Sequence, residues 1–117
     1  MSAEASSFVP PAGLATPPAW LVEVRSGQRF PLPPVTTIGR KGAIACGDPY
    51  MSRRHAEIRG DALGYWLRDL GSANGSFHGA HGGPQRPVLA PTRLRHGDLI
   101  LLGTTALAFE LFGDADV

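Results

Sequence analysis

The feature that most limits what this chain can fold into is how often it is interrupted. Gly60-Asp61, Gly71-Ser72, Asn74-Gly75, Gly82-Gly83-Pro84 and His96-Gly97-Asp98 cut it into short runs, and such pairs mark turns rather than helix interiors. Between the cuts the residues suit strands. Trp20, Val22 and Val24 alternate with Leu21, Glu23 and Arg25, and Ser26-Gly27 turns the chain into a second run from Arg29 to Leu32, which Pro33-Pro34 ends. Val35-Thr36-Thr37-Ile38 is β-branched almost throughout. Further runs cover His55 to Arg59, Tyr65 to Asp69, Asp98 to Leu102 and Ala106 to Phe112, the last with Leu107, Phe109 and Leu111 on one face. No window carries a helical apolar stripe longer than about two turns. The pattern predicts an all-β fold, a two-sheet β-sandwich of short, mostly antiparallel strands, without internal repeats.

Composition bounds the function. At 117 residues with 43% hydrophobic content, the chain suits one domain with its own core. Charged residues make up 18% and the formal net charge is +1, so no whole-chain attraction to nucleic acid or membrane is expected, and a bound anion has to be caught by a local cluster. The basic residues are ten Arg and one Lys, Lys41. Codon bias accounts for that skew, although Arg is also the better phosphate ligand. The single Cys46 excludes an internal disulfide and fits a reducing compartment. No apolar run approaches the ~20 residues of a membrane helix, and no secretory signal is expected, since the first residues lack a basic region followed by an apolar stretch. The expected location is cytoplasmic. Residues 1–19, with Pro10, Pro11, Pro17, Pro18 and a single charge at Glu4, read as a flexible Pro/Ala-rich tail or linker. The domain is expected at residues 20–113, with a short C-terminal tail at 114–117.

Chemistry gathers in two polar, glycine-bearing loops, Arg40 to His55 and Leu70 to His78. Holding a phosphate dianion requires Arg for paired, charge-assisted hydrogen bonds and a hydroxyl or N–H donor beside it. Gly39-Arg40 follows a strand; Ser52-Arg53-Arg54-His55 supplies a hydroxyl, two guanidiniums and an imidazole; Asn74-Gly75 supplies an amide that can both donate to and accept from a peptide backbone. Taken singly, Arg40 is a solvated strand-end residue, Ser52 a turn cap and Asn74 a hairpin residue. Their order is what makes them specific.

That order resembles the forkhead-associated (FHA) family, whose signature is Gly-Arg after a strand, then Ser-Arg-x-His, then Gly-Ser-x-Asn-Gly-Ser/Thr. Here it reads Gly39-Arg40, Ser52-Arg53-Arg54-His55 and Gly71-Ser72-Ala73-Asn74-Gly75-Ser76, and Leu94-Arg95-His96-Gly97-Asp98 with Gly103 resembles the closing stretch. The match spans Trp20 to Phe112. The resemblance implies an FHA/SMAD-like sandwich that binds phosphothreonine in a partner protein, a Ser/Thr kinase or its substrate, without cofactor. It assigns Arg40, Ser52 and Arg53 to the phosphate and Asn74 to the ligand main chain. It makes Gly39, His55 and Gly75 structural supports, with His55 bracing the two loops, and leaves Arg54 to solvent or partner. One departure matters: many members carry Thr or Ser where this chain has Ala73. That removes a side-chain donor and leaves a backbone N–H for the phosphate. The second reading is a phosphate-independent scaffold or assembly domain of the same fold.

Three other readings compete. His55, His78, His81, His96 and Cys46 match no metal-ligand spacing, so no metal is expected. Ser52, His55 and Asp48 could form a nucleophilic set, but no oxyanion site accompanies them. Nucleic acid is not expected at Arg40, Lys41, Arg53, Arg54 and Arg59, because only Tyr50 offers stacking nearby and Asp48 and Glu57 dilute the charge.

Overall fold

The computed structural model describes residues 17–111. Eleven strands follow one another: β1 (Ala19–Glu23), β2 (Arg29–Pro31), β3 (Val35–Gly39), β4 (Ile44–Ala45), β5 (Ala56–Asp61), β6 (Gly64–Asp69), β7 (Ser76–Gly79), β8 (Arg86–Pro87), β9 (Thr92–Leu94), β10 (Leu99–Leu102) and β11 (Thr105–Leu111). They form a six-stranded sheet in the order β2-β1-β11-β10-β7-β8 and a five-stranded sheet in the order β4-β3-β5-β6-β9. Every pairing is antiparallel except β3 with β4. The expected all-β sandwich of short strands is what forms.

The core lies between the sheets. Leu21, Ile38, Ala56, Ile58, Leu67, Ile100, Leu102, Leu107 and Phe109 are wholly buried, each on the inward side of a strand whose neighbours face out. Tyr65 of one sheet meets Phe109 of the other, ring centroids 5.5 Å apart and tilted by 60°. The Tyr65 hydroxyl donates to the Pro17 carbonyl at 2.5 Å, which satisfies the polar tip of an otherwise buried ring.

Several details differ from the sequence reading. In β1 the inward residues are Ala19 and Leu21, while Trp20 and Val22 lie on the other face and Val24 beyond the strand is exposed. The Arg29 guanidinium covers the Trp20 ring at 5.3 Å and pairs with Glu110 at 2.9 Å, which explains how an aromatic residue tolerates the outer face. β1 also starts one residue before the expected domain boundary. Of the expected tail at 1–19, residues 1–16 lie outside the described residues, as do Phe112, Gly113 and the C-terminal tail at 114–117. Strands β4, β8 and β9 were not expected, because two or three residues are too few to display a period. Residues 76–78, read as the end of a loop, instead belong to β7, which lies between β10 and β8.

Candidate functional site

The topology gathers the candidate residues at one end of the five-stranded sheet. Ile38 pairs with Ala56, and Ala56 with Asp69. The end of β3, the start of β5 and the end of β6 therefore lie side by side, and the loops that leave them share one rim. The β10–β11 turn reaches the same rim, since Leu102 pairs with both Ser76 and Thr105.

The first loop folds onto the end of β3 by backbone bonds. Arg40 N–H donates to the Ser52 carbonyl at 3.1 Å and Lys41 N–H to the Arg53 carbonyl at 2.9 Å. Only glycine permits this approach at position 39: a Cβ there would stand 2.2 Å from the Arg53 carbonyl oxygen. Arg40 Nε donates to the Met51 carbonyl at 2.7 Å, which fixes the root of the guanidinium and leaves its terminal N–H groups open. The buried Met51 side chain anchors the loop in the core.

His55 joins the two loops. It is wholly buried; its Nδ1 accepts from Ser52 N–H at 2.9 Å and its Nε2 contacts the Gly75 carbonyl at 2.8 Å. An N–H on one side and a carbonyl on the other allow one tautomer, with the proton on Nε2. Gly75 itself takes φ = 83°, a left-handed value that suits glycine. Ser52 Oγ accepts from Ala73 N–H at 3.0 Å, so its own proton stays free to donate. Asn74 Nδ2 donates to the Tyr50 carbonyl at 2.8 Å, leaving the amide oxygen and the other N–H outward. The Ala73 N–H expected to serve the phosphate is thus already engaged, by the serine rather than by a ligand.

Two carboxylates that the sequence reading did not assign hold these loops in shape. Asp48 Oδ2 accepts from Thr104 N–H at 2.6 Å and from the Thr104 and Thr105 hydroxyls at 2.8 Å each, and its Oδ1 accepts from Tyr50 N–H at 2.8 Å. Burial works against the charge, yet the bonds from Tyr50, Thr105 and Thr104 win and lower its pKa to about 2. Asp69 accepts from the N–H groups of Gly71 and Ser72 and from the hydroxyls of Ser72 and Ser76, at 2.5–3.0 Å. Its pKa is also lowered, those bonds outweighing burial. The Asp-Leu-Gly-Ser run carried a turn signal for Asp69. Nothing local in the sequence ties Asp48 to Thr105, because their contact spans 57 residues.

These bonds also bear on two points of the sequence reading. Ser52, His55 and Asp48 do not form a relay: His55 Nδ1 faces a backbone N–H, and Asp48 points to the β10–β11 turn. Of the two acids expected to dilute the basic cluster, Glu57 pairs with its member Arg59, and among the described residues neither pairs with Arg40, Lys41, Arg53 or Arg54. Glu57 is taken by Arg59 at 2.9 Å and Arg68 at 3.2 Å on the sheet; the bond from Arg59 is the main cause of its lowered pKa. Arg40, Lys41, Arg53 and Arg54 are all exposed. Among the described residues no carboxylate pairs with any of them. The rim therefore presents guanidiniums, an ammonium, a serine hydroxyl and an asparagine amide, with its acids turned inward. Chemically such a set of donors suits an anion, and the outward half of the amide can both donate to and accept from a peptide backbone.

Lys41, Arg53 and Arg54 line a cavity of about 560 Å³. A cavity of about 610 Å³ lies elsewhere, between the β1–β2 turn and the β10–β11 turn, lined by Phe30, Cys46 and Thr105 among others. Burial first, then the charges of Glu23 and Asp48, push the Cys46 thiol up, which keeps it protonated and a poor nucleophile.

Comparison with known proteins follows the same residues. The sequence profile described as "FHA domain" matches residues 36–103. No curated protein sequence matches significantly. Among solved structures, Mycobacterium tuberculosis EmbR in complex with a low affinity phosphopeptide is 28% identical, with a TM-score of 0.71 over 81% of this chain and 24% of that one. This chain therefore spans about a quarter of EmbR. A structure described as a structural and functional analysis of phosphothreonine-dependent FHA domain interactions is 30% identical, with a TM-score of 0.68 over 80% of this chain and 96% of that one. The FhaA FHA domain complexed with the intracellular domain of Rv3910 is also 30% identical, with a TM-score of 0.64 over 79% of this chain and 99% of that one.

Proposed function

The chain belongs to the FHA domain family, and from that premise we propose that it is a phosphothreonine-dependent protein-binding module. Its partner is a Ser/Thr kinase or a substrate of one, and it works in the cytoplasm. The observation that supports this reading is the rim that carries Arg40, Ser52, Arg53 and Asn74, where among the described residues no carboxylate pairs with the cations. Arg40 and Arg53 neutralise the phosphate dianion, the free proton of Ser52 Oγ donates to it, and the outward half of the Asn74 amide bonds the ligand main chain. The relatives lend support, since one is bound to a phosphopeptide and another is described by its phosphothreonine-dependent interactions.

Calorimetric titration of phosphothreonine peptides against their unphosphorylated twins tests the reading. A charge-assisted hydrogen bond contributes about 1.5–3 kcal/mol, so the phosphorylated peptide should bind at least about tenfold tighter. Binding should weaken below pH ~6, where the phosphate gains its second proton. Equal affinity for both twins would sink the proposal. One observation favours the phosphate-independent scaffold reading: Ala73 brings no hydroxyl, and its N–H is engaged by Ser52. Arg40→Ala separates the two, since it abolishes phosphate-dependent binding and spares docking that needs no phosphate.

A further inference from the structure

The two outer faces of the sandwich differ in kind. On the five-stranded sheet one outward row reads Thr37, Glu57 and Arg68, and the next Val35, Arg59, Trp66 and Arg93. Glu57 pairs with Arg59 and Arg68, and Arg93 covers the Trp66 ring at 5.8 Å. That is the solvated face an antiparallel sheet ordinarily shows. The six-stranded sheet departs from it. Its inward residues Leu21, Ile100, Leu102, Leu107 and Phe109 are wholly buried, so alternation turns their neighbours outward. One outward row reads Pro87, Phe77, Leu101 and Ala106, and Val24 adjoins it by its N–H bond to the Ala106 carbonyl. The next reads Gly79, Leu99, Ala108 and Val22. None of these residues is buried; Phe77 is 36% exposed and Val24 53%. Among the described residues the charges on this face are Arg29 and Glu110, which sit at one corner and pair with each other at 2.9 Å. A broad apolar face with its charges at the margin has the make-up of an interface.

The relief of the face says what fits it. β10 presents Leu99 and Leu101 as a ridge. β11 beside it presents Ala106 and Ala108 as a furrow, with Leu101 opposite Ala106 and Leu99 opposite Ala108. A ridge next to an equal furrow is complementary to itself. A two-fold axis between β10 and β11, parallel to the strands, lays each ridge in the other copy's furrow and keeps the rows aligned. The same axis sets Phe77 against Val24 and the bare Gly79 against Val22, and it leaves Arg29 and Glu110 at the perimeter, so that no charge is buried. Growth by the edges of this sheet is disfavoured, since β2 and β8 carry Pro31 and Pro87, which have no N–H to offer. At ~4.8 Å between strands and ~3.4 Å per residue, the four strands from β1 to β7 and the seven residues of β11 give a footprint on the order of 400 Å² in plan. Two copies cover about 800 Å² in plan, and more in accessible surface, against the ~1,000 Å² that a specific interface clears.

We propose that the outer face of the six-stranded sheet is a self-association surface, on which a second copy of this chain packs face to face about that two-fold axis. Both rims then open at the same end of the pair. Sedimentation equilibrium from ~1 μM to ~1 mM should show monomer and dimer in exchange. Leu101→Lys sets a charge against the partner's furrow and should weaken association by at least ~100-fold, the scale of a buried charge left unpaired. Ala106→Glu should do the same from the other side. Mixed in equal amounts, these two variants should form a heterodimer, because the ammonium introduced in one copy meets the carboxylate introduced in the other. Val24→Asp, at an exposed turn position, weakens association without touching the fold, and urea unfolding checks that each variant is folded. Val35→Lys, on the charged outer face and 51% exposed, should leave the equilibrium unchanged. A chain that stays monomeric throughout overturns the proposal; if it also binds an apolar dye that Leu101→Lys releases, the face belongs to a different protein. A dimer that survives both Leu101→Lys and Val24→Asp overturns it as well, and a mixture that fails to pair overturns the two-fold arrangement.

Discussion

The two ends of the five-stranded sheet turn the same chain around by different means. At one end the β5–β6 turn is local: Asp61 Oδ1 accepts from Leu63 N–H at 2.8 Å, two residues on. Its distant ties are few: Gly60 N–H donates to the Pro34 carbonyl at 2.8 Å, Arg93 reaches the Leu63 carbonyl across an exposed surface, and Leu63 is 73% exposed. At the other end the loops are fixed by partners far away in sequence. His55 and Gly75 are 20 residues apart, Asn74 and Tyr50 are 24 apart, and Asp48 and Thr105 are 57 apart. A turn that only reverses direction needs no more than its own residues. On the proposed function, loops that present Arg40, Ser52 and Asn74 to a ligand must be held before it arrives, or ordering them subtracts from affinity. The contrast separates chain reversal from preorganisation, and it can be broken at single residues.

The largest effect is expected at His55. His55→Ala leaves the Ser52 N–H and the Gly75 carbonyl without their buried partner and opens a cavity between the loops. The loss should be about 3 kcal/mol, since each buried polar group left unpaired costs roughly 1–3 kcal/mol. Leu63→Ala, at the opposite end, should stay within about 0.5 kcal/mol. Urea unfolding read by midpoint at constant slope compares them. Similar losses at both positions would erase the distinction between the two ends. Next comes Gly39→Ala. The added Cβ would stand 2.2 Å from the Arg53 carbonyl, so β3 and the first loop must separate, at about 1–3 kcal/mol. Because the same shift moves Arg53 away from Arg40, phosphothreonine affinity should fall with stability. A variant with native stability and native affinity would show that the close approach is dispensable.

The same contrast explains how much could be read from the sequence. The far turn and the long strands were legible because their information is local: Gly60-Asp61 marks a reversal, and Leu107 and Phe109 alternate into the core. The polar residues of the rim were legible as a motif, Gly39-Arg40, Ser52 to His55 and Asn74-Gly75. Their mutual arrangement was not. That Ser52 Oγ is met by the Ala73 N–H, or Asn74 by the Tyr50 carbonyl, depends on the register of β3, β5 and β6, which no local window contains. Asp48 shows the limit most clearly. Beside Ser52 and His55 in the sequence it resembles a catalytic acid or a stray charge, and only the fold places the β10–β11 turn against it. β7 was misjudged for a related reason: Ser76 and His78 look like loop residues, and pairing with β10 and β8 makes them part of a strand.

The smallest expected effect concerns acid, and it tests whether carboxylates hold the rim. Asp48 is lowered from 3.8 to about 2 in the folded protein. A depressed carboxylate stabilises the fold fully above its unfolded value and loses that contribution as pH falls through the folded one. Stability should therefore decline between about pH 4 and pH 2, and the rim should loosen before the core, because the bonds lost there tie Tyr50 to Thr104 and Thr105. Asp48→Asn removes that titration while keeping nearly the same shape. Its stability at neutral pH should be lower, and its low-pH decline shallower, with Asp69 and Glu57, also lowered, supplying the remaining slope. Hydrogen exchange at Tyr50 and Thr104 follows the rim directly, since both N–H groups are held by this one carboxylate. If the two proteins declined in parallel and those amides kept their protection at pH 2, Asp48 would not be what fixes the first loop to the β10–β11 turn, and the order of that rim would have to rest on His55 and the backbone bonds alone.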